Sequence, residues 1–232
     1  MKQGKIISLT RELMHDRNQA VKAIDYVTKE LEKGGIAILP TETAYALCAD
    51  ATSEEAVKKV FEIKKRDESK PIPIMVSDLY MIQEYAELTP LAKHLIEAFM
   101  PGPLTLIVPQ KQDSKLPKTL SEKGIAFRIP EHEFTRNVIS ELGRPITSTS
   151  ANIAGDAAMY NSEDVRMLFA DKVQVILDAG NLAQRPPSTI LDLLKEKPEI
   201  IRLGPIPEED IQEEISEFHN KQKELLNTAT TE

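Results

Sequence analysis

The chain has 232 residues, of which 41% are hydrophobic and 28% charged, a globular composition with room for one large domain or two small ones. Its formal net charge of -8 at pH 7 argues against a surface that neutralises many phosphates of a long nucleic acid, so any basic site must be local. A single cysteine, Cys48, allows no internal disulfide, and no apolar run has the length of a signal peptide or membrane span, so we expect a soluble cytoplasmic protein with no membrane partner.

The first third of the chain predicts a helix, a buried strand and a second helix. The first helix is indicated by apolar residues at helical spacing, at Ala20, Ile24, Val27 and Leu31. The apolar run 36–39 follows as a buried strand, and the polar residues 41–43 come directly after it, where open α/β sheets bind ligands. Ser53 is the predicted N-cap of the second helix, which runs into Ile63.

The rest of the chain mixes strands and helices. Strands are predicted at 72–76, 104–108, 125–129, 173–177, 189–193 and 200–203, and helices from Pro90, at 133–142 and at 162–169. Some neighbouring strands lack a crossover helix between them, which predicts an α/β fold with a mixed parallel/antiparallel sheet and flanking helices.

The C-terminal segment 207–232 is acidic at its start and carries Ile211, Ile215 and Phe218 at helical spacing. This pattern predicts an amphipathic helix that docks on its own domain or binds a partner. We therefore expect one domain over 1–206 and an acidic amphipathic C-terminal tail over 207–232, for which docking on its own domain is the favoured alternative.

The most concentrated positive charge is Lys64-Lys65-Arg66, which falls where an apolar helical pattern stops. Residues two apart point to different faces of a helix, so Lys64 and Arg66 converge on one anion only if the helix has ended. An ammonium beside a forked guanidinium suits a polyphosphate. The alternative is a solvated helix end whose cations complement the helix dipole.

A second candidate site is the polar run 147–152, which follows the apolar strand start at Ile146. Alternate residues of a strand face one side, so Ser148, Ser150 and Asn152 are expected to line one wall of a pocket. Their hydroxyl and amide groups would orient phosphate oxygens or a carboxylate. A Ser/Thr-rich exposed strand and turn is the alternative.

Arg128 lies within the apolar run 125–129, where a charge is costly unless it is paired or binds a ligand. A structural carboxylate and a substrate anion are equally open as its partner. Thr105, which follows a Pro-Gly-Pro break, is a further candidate. Glu42 and Asp50 could approach a magnesium ion, although solvated loop carboxylates are the default.

The sequence contains neither a P-loop nor a dinucleotide-binding glycine motif among its nine glycines, so a nucleotide would need another cradle. It also lacks a recognisable Ser-His-Asp or Cys-His pairing, and Cys48 is expected in the core.

Several ordered motifs resemble those of the YrdC-like threonylcarbamoyl-adenylate synthases, in single-domain form, over roughly residues 20 to 206. The motifs are Pro40-Thr41-Glu42-Thr43-Ala44-Tyr45-Ala46-Leu47, Lys64-x-Arg66, Pro101-Gly102-Pro103-Leu104-Thr105, Ser148-Thr149-Ser150-Ala151-Asn152-x-x-Gly155, Pro187-Ser188-Thr189 and Arg202-x-Gly204. Their order and spacing are more specific than any one motif.

The resemblance implies a twisted mixed sheet with a concave, basic ligand face. It also implies a nucleotidyltransferase that makes threonylcarbamoyl-AMP and pyrophosphate from ATP, L-threonine and bicarbonate, with Mg²⁺, for threonylcarbamoyladenosine modification of tRNA. Expected partners are the proteins that complete the tRNA modification, and tRNA or double-stranded RNA.

The resemblance also implies roles for individual residues. Lys64 and Arg66 are the expected catalytic and phosphate-binding residues, and Ser148, Ser150 and Asn152 position the nucleotide. Thr105 and Arg202 are further ATP contacts, and Thr105 is also expected near threonine. The threonine-binding residues are expected to be Thr41, Arg128 and Ser188.

Three features depart from the family pattern: Ala46 and Cys48 replace glycines, Asp67 replaces a proline, and Pro73 interrupts an apolar run. The main alternative is a non-catalytic RNA-binding module of the same fold. A second alternative is carbamoyl transfer to a maturation protein, as in larger carbamoyltransferases, whose zinc-finger and acylphosphatase-like portions are not found in these 232 residues.

Overall fold

A computed structural model describes residues 3–120 and 124–229 as two β-sheets with flanking helices. The strands are β1 (Lys5–Ser8), β2 (Ala37–Pro40), β3 (Tyr45–Cys48), β4 (Ile74–Met75), β5 (Leu104–Val108), β6 (Ile125–Arg128), β7 (Ile146–Thr147), β8 (Thr149–Ser150), β9 (Val175–Asp178), β10 (Thr189–Asp192) and β11 (Glu199–Arg202). The helices are α1 (Arg11–His15), α2 (Arg17–Glu32), α3 (Glu54–Lys64), α4 (Leu79–Tyr85), α5 (Pro90–Phe99), α6 (Glu133–Leu142), α7 (Ser162–Phe169) and α8 (Glu208–Ala229).

Both sheets mix parallel and antiparallel pairs, which confirms the predicted α/β class. The five-stranded sheet has the order β1-β9-β2-β3-β8, with β1, β9 and β2 parallel and the β2-β3 and β3-β8 pairs antiparallel. The six-stranded sheet has the order β11-β10-β5-β6-β4-β7, in which β10 is parallel to β5 and β4 is parallel to β6. The strands predicted for one sheet are thus divided between two.

The polar run 147–152 is where the chain passes from one sheet to the other. β7 pairs with β4 in the six-stranded sheet, and β8, one residue later, pairs with β3 in the five-stranded sheet. Ser148 is the residue between them. The run is therefore a crossing between sheets and not the single continuous strand that the alternation argument assumed.

Capping residues explain several helix boundaries. The Ser53 side chain accepts from Ala56 N at 3.3 Å at the start of α3, as predicted, and Thr89 caps α5 ahead of Pro90 in the same way. α3 ends at Lys64, because Lys65 adopts the left-handed conformation with φ of 51°. The sequence did not predict β1, α1, β3 or α4.

The long C-terminal helix α8 packs on α5 through its first half, which is the first of the two alternatives left open by the amphipathic pattern. Ile211 and Ile215 are buried, and the Phe218 ring contacts the ring of His94 from α5 in a tilted arrangement, with the ring centroids 5.5 Å apart. Residues 230–232 of the predicted tail lie outside the described residues. Within the described part of the chain, no helix is long and apolar enough to cross a membrane.

Candidate functional site

A cleft of about 510 Å³ is lined by residues from both sheets. The five-stranded sheet contributes Tyr45 and Ser150, and the six-stranded sheet contributes Thr105, Arg128 and Arg202. Nine of the ten predicted site residues line this cleft, namely Thr41, Arg66, Thr105, Arg128, Ser148, Ser150, Asn152, Ser188 and Arg202. The fold thus brings together residues that are up to 161 positions apart in the sequence (Thr41 to Arg202).

The tenth residue, Lys64, lies behind the cleft wall, with only 2% of its surface exposed. Its ammonium donates to the main-chain carbonyl of Ser150, to the carbonyl of Asn152 at 2.9 Å and to Asn152 Oδ1 at 2.8 Å. These acceptors match the three donors of a lysine ammonium. Burial, and secondarily the charge of Arg66, lowers the pKa of Lys64 to about 8.

Arg66 reaches the cleft because α3 has ended two residues earlier. Its guanidinium donates to the carbonyls of Lys70 at 3.0 Å and Pro71 at 3.1 Å, which fixes its position at the cleft edge. Burial lowers its pKa from the usual value. Lys64 and Arg66 thus have different positions: Lys64 is bonded to Ser150 and Asn152 behind the cleft lining, and Arg66 lines the cleft itself.

The Ser150–Asn152 wall is held by a chain of hydrogen bonds. Ser150 Oγ donates to Asn152 Oδ1 at 2.7 Å, and Asn152 Nδ2 donates to the carbonyl of Asp156 at 2.6 Å. Asn152 Oδ1 thus accepts from both Ser150 and Lys64, which fixes the orientation of the amide. The wall presents preorganised polar groups to the cleft.

Arg128 has a structural carboxylate partner, Glu42, with which it forms a buried ion pair. The two side chains are 6% and 5% exposed, and Glu42 also accepts from Glu131 N at 3.1 Å. Burial lowers the pKa of Arg128, and the nearby Glu42 carboxylate opposes that change. Arg128 bonds Glu42 through one terminal nitrogen and still lines the cleft, so the carboxylate does not occupy all of its donors.

The other side of the cleft is a hydroxyl cluster supported by Arg202. Thr105 Oγ1 and Ser188 Oγ are 2.8 Å apart, and Arg202 donates twice to the Ser188 carbonyl, at 3.0 and 2.8 Å. Thr41 is different, because its hydroxyl donates to the Ala44 carbonyl at 2.7 Å within the turn between β2 and β3. The hydroxyl proton of Thr41 is thus already donated within the protein and is not free for a ligand.

The charged groups along the cleft suit an anion. Its described lining has four arginines, Arg66, Arg128, Arg185 and Arg202, and one carboxylate, Asp156. A neighbouring groove of about 720 Å³ has no arginine or lysine along its described lining and none of the predicted site residues. The cleft is therefore the candidate site.

The two carboxylates predicted as possible magnesium ligands, Glu42 and Asp50, each form an ion pair with an arginine. Glu42 pairs with Arg128, and Asp50 pairs with Arg144 at 2.8 Å. Among the described residues, no group of three or more potential ligands is arranged for a metal ion. The protein side chains therefore do not fit a dedicated magnesium cage, and a magnesium ion would need ligands from the substrate phosphates.

Comparison with known proteins decides the family. A family model covering Sua5, YciO and YrdC, described as "Telomere recombination", matches residues 29–204. A Methanocaldococcus jannaschii protein is 36% identical over 186 residues, which cover 80% of this chain and 87% of the relative. The chain belongs to the Sua5/YciO/YrdC family.

Two further comparisons extend this family assignment. The threonylcarbamoyl-AMP synthase of Pyrococcus abyssi is 34% identical over 189 residues, 81% of this chain and 56% of the relative. A crystal structure of P. abyssi Sua5 complexed with L-threonine superposes with a TM-score of 0.81 and 31% identity, covering 91% of this chain and 61% of that chain. This family member thus spans little more than half the length of the P. abyssi relative.

Residues outside the family motifs also line the cleft, and sequence reasoning missed them as site residues. They include Asp156, Tyr160 and Arg185. The one available signal was an arginine directly before Pro186-Pro187-Ser188. Tyr45 was quoted in a motif but given no role, and its hydroxyl donates to the Gly180 carbonyl at 2.7 Å while burial raises its pKa to about 12.

Proposed function

We propose that this chain is a threonylcarbamoyl-AMP synthase that converts ATP, L-threonine and bicarbonate into threonylcarbamoyl-AMP and pyrophosphate. The observation that carries the proposal is a cleft that joins four arginines to the hydroxyl and amide groups of the family motifs. A P. abyssi relative is named threonylcarbamoyl-AMP synthase, and a crystal structure of P. abyssi Sua5 contains L-threonine, which supports the proposal. The product serves threonylcarbamoyladenosine modification of tRNA.

The reaction depends on positioning and on neutralisation of charge. Bicarbonate and the threonine amine form a carbamate with loss of water. A carbamate oxygen then bonds the α-phosphorus of ATP as the bond to the β-phosphate breaks and pyrophosphate leaves. Two anions must approach each other, so fixed cations and hydrogen-bond donors lower the barrier more than a strong base would.

The nucleotide takes the side of the cleft formed by Arg66 and the Ser148–Asn152 segment. Arg66 binds phosphate, and Ser148, Ser150 and Asn152 position the nucleotide. Lys64 contributes its charge from behind the wall and holds the carbonyls of Ser150 and Asn152 in place.

Threonine takes the side of the cleft near the hydroxyl cluster. Arg128 binds its carboxylate with the donors that Glu42 leaves free, and Ser188 contacts its polar groups. Thr105 and Arg202 lie between the two substrates, and Thr41 shapes the turn beside threonine.

Magnesium would accompany the triphosphate, with phosphate oxygens and water as its ligands. We place the reaction in the cytoplasm. Residues 1–206 form the catalytic domain, which binds its ligands on a basic concave face, and residues 207–232 form a tail. Partner proteins transfer the threonylcarbamoyl group to tRNA.

The RNA-binding alternative is weaker, because the chain keeps both Lys64-x-Arg66 and Ser150-x-Asn152 and has a net charge of -8.

The test is pyrophosphate release by the purified protein supplied with ATP, bicarbonate and magnesium. Release is expected only when L-threonine is added, and the product should contain both the threonylcarbamoyl and the AMP groups. Asn152→Ala should nearly abolish release, whereas Asn18→Ala, at an exposed site outside the cleft, should leave it unchanged. Release that does not depend on threonine would contradict the proposal, and salt-sensitive RNA binding without release would favour the alternative.

A further inference from the structure

In the described part of the chain, Arg185 differs from the other three arginines of the cleft in that its side chain has no partner. Arg66 is held by two carbonyls, Arg128 by Glu42, and Arg202 by Ser188. Among the described residues, the guanidinium of Arg185 makes no hydrogen bond or ion pair, although Asp156 also lines the cleft. The side chain thus has all five of its donors available for a ligand.

The main chain of Arg185 is fixed even though its side chain is not. The Tyr160 hydroxyl donates to the Arg185 carbonyl at 3.0 Å, and Leu182 N donates to the Tyr160 carbonyl at 2.8 Å, so two loops are tied together beside the cleft. Pro186 and Pro187 follow directly and restrict the backbone up to Ser188. An exposed arginine whose main chain is held in this way can bind a ligand without disturbing the fold.

Position and charge decide which anion Arg185 takes. Arg128, which is 5% exposed, is buried in the cleft lining and suits the single carboxylate of an amino acid, whereas Arg185 is exposed. The outer phosphates of a triphosphate carry more charge than a carboxylate and must leave as pyrophosphate toward solvent. A forked guanidinium on the solvent side matches that departing group.

We propose that Arg185 binds the outer phosphates of the triphosphate, and the released pyrophosphate, at the solvent side of the cleft. This inference rests on the proposed synthase function. It adds to the family motifs a substrate-binding residue that none of them contains. Because Arg185 touches only the phosphates beyond the α-phosphate, it contributes to ATP and pyrophosphate binding and not to AMP or threonine binding.

Calorimetric titration of the full chain with four ligands tests the inference: ATP with magnesium, pyrophosphate with magnesium, AMP, and L-threonine. Arg185→Ala should weaken ATP and pyrophosphate binding by about 10-fold, the effect of losing a charge-assisted hydrogen bond, and change AMP and threonine affinity less than about 2-fold. Arg185→Lys should recover part of the loss, since it keeps the charge without the fork. The melting temperature should be unchanged, because the side chain has no partner to lose among the residues that the structure describes.

Arg17→Ala is the matched control, since Arg17 is exposed at the start of α2 and does not line the cleft. Unchanged ATP and pyrophosphate affinity in Arg185→Ala would overturn the assignment, as would a loss confined to threonine or an equal loss for AMP. If the unaltered protein binds neither ATP nor pyrophosphate, the synthase proposal and this inference fail together. If it binds both and Arg185→Ala binds them equally well, only the inference fails.

Discussion

The Lys64 ammonium donates to both oxygens of Asn152, at 2.9 Å to the main-chain carbonyl and 2.8 Å to the side-chain amide. Two motifs that lie 88 residues apart are thereby one hydrogen-bonded unit. The lysine has no hydrogen-bond donor left over in this arrangement. In the proposed function, Lys64 therefore fixes the wall that is proposed to position the nucleotide, and a direct phosphate contact would require it to release one of these acceptors.

Lys64→Met and Asn152→Ala are therefore expected to act through the same unit. Each should reduce threonine-dependent pyrophosphate release by more than about 100-fold, because buried acceptors lose their donor or the wall loses its amide. The double variant should be little worse than the poorer single variant. The measurement is the rate of pyrophosphate release in the unaltered protein, both single variants and the double variant. If the loss of rate in the double variant equals the product of the two single losses, the two residues act independently.

The buried ammonium also predicts a pH dependence. Its pKa of about 8 lies below the usual value of 10.5, so kcat/KM should fall as pH rises through about 8 and Lys64 loses its proton in the free enzyme. Lys64→Arg should give a lower rate without this fall, because a guanidinium keeps its charge across the range.

The same pKa predicts that the loss of activity is not caused by unfolding. Between about pH 8 and 10.5 the unfolded chain holds the Lys64 proton more tightly than the folded chain. The contribution of Lys64 to the free energy of unfolding therefore rises with pH over this window. Thermal melting curves recorded alongside the kinetics should show no destabilisation that follows the activity, and a parallel drop in both would contradict this explanation.

Variants of the Arg128–Glu42 pair should distinguish an effect on stability from an effect on substrate binding. Removing either partner, by Glu42→Leu or Arg128→Met, should lower the free energy of unfolding by about 3–5 kcal/mol, because an unpaired charge stays buried. The double variant should regain most of that stability, since a well-packed apolar pair often replaces a buried ion pair without loss.

Activity should not return with stability in this double variant. If Arg128 binds the threonine carboxylate, the stable double variant should still lack threonine binding and threonine-dependent pyrophosphate release. It should retain ATP binding. Urea denaturation and calorimetry with each substrate make the measurement. A stable double variant that uses threonine normally would restrict Arg128 to a structural role.

The sequence could predict most elements, because their signals are local. Ser53, Thr89 and the apolar periodicity of α2 and α3 each specify a boundary or a buried face within one turn of helix. The partner of Arg128 was left open, since Glu42 lies 86 residues away and only the folded sheets bring the two together. A charge in an apolar strand requires a partner but does not identify it.

The division into two sheets was beyond sequence reasoning for a similar reason. β7 and β8 have two residues each, too few to display a period, and their separation depends on which strands they pair with. Arg185 was missed because an exposed arginine in a loop is ordinary until a cleft is placed beside it. Its importance depends on the tie between Tyr160 and the Arg185 carbonyl, which joins residues 25 positions apart.

The packing of α8 gives a last test, on the two halves of one helix. Ile215 is 7% exposed and packs in the core, whereas Leu225, ten residues later, is 72% exposed. Ile215→Ala should lower the free energy of unfolding by about 2–5 kcal/mol, and Leu225→Ala should change it by less than about 0.5 kcal/mol. Urea denaturation compares the two, and pyrophosphate release should persist in both because α8 supplies no residue to the described cleft lining. An equal cost for both substitutions would mean that the second half of α8 is packed as tightly as the first.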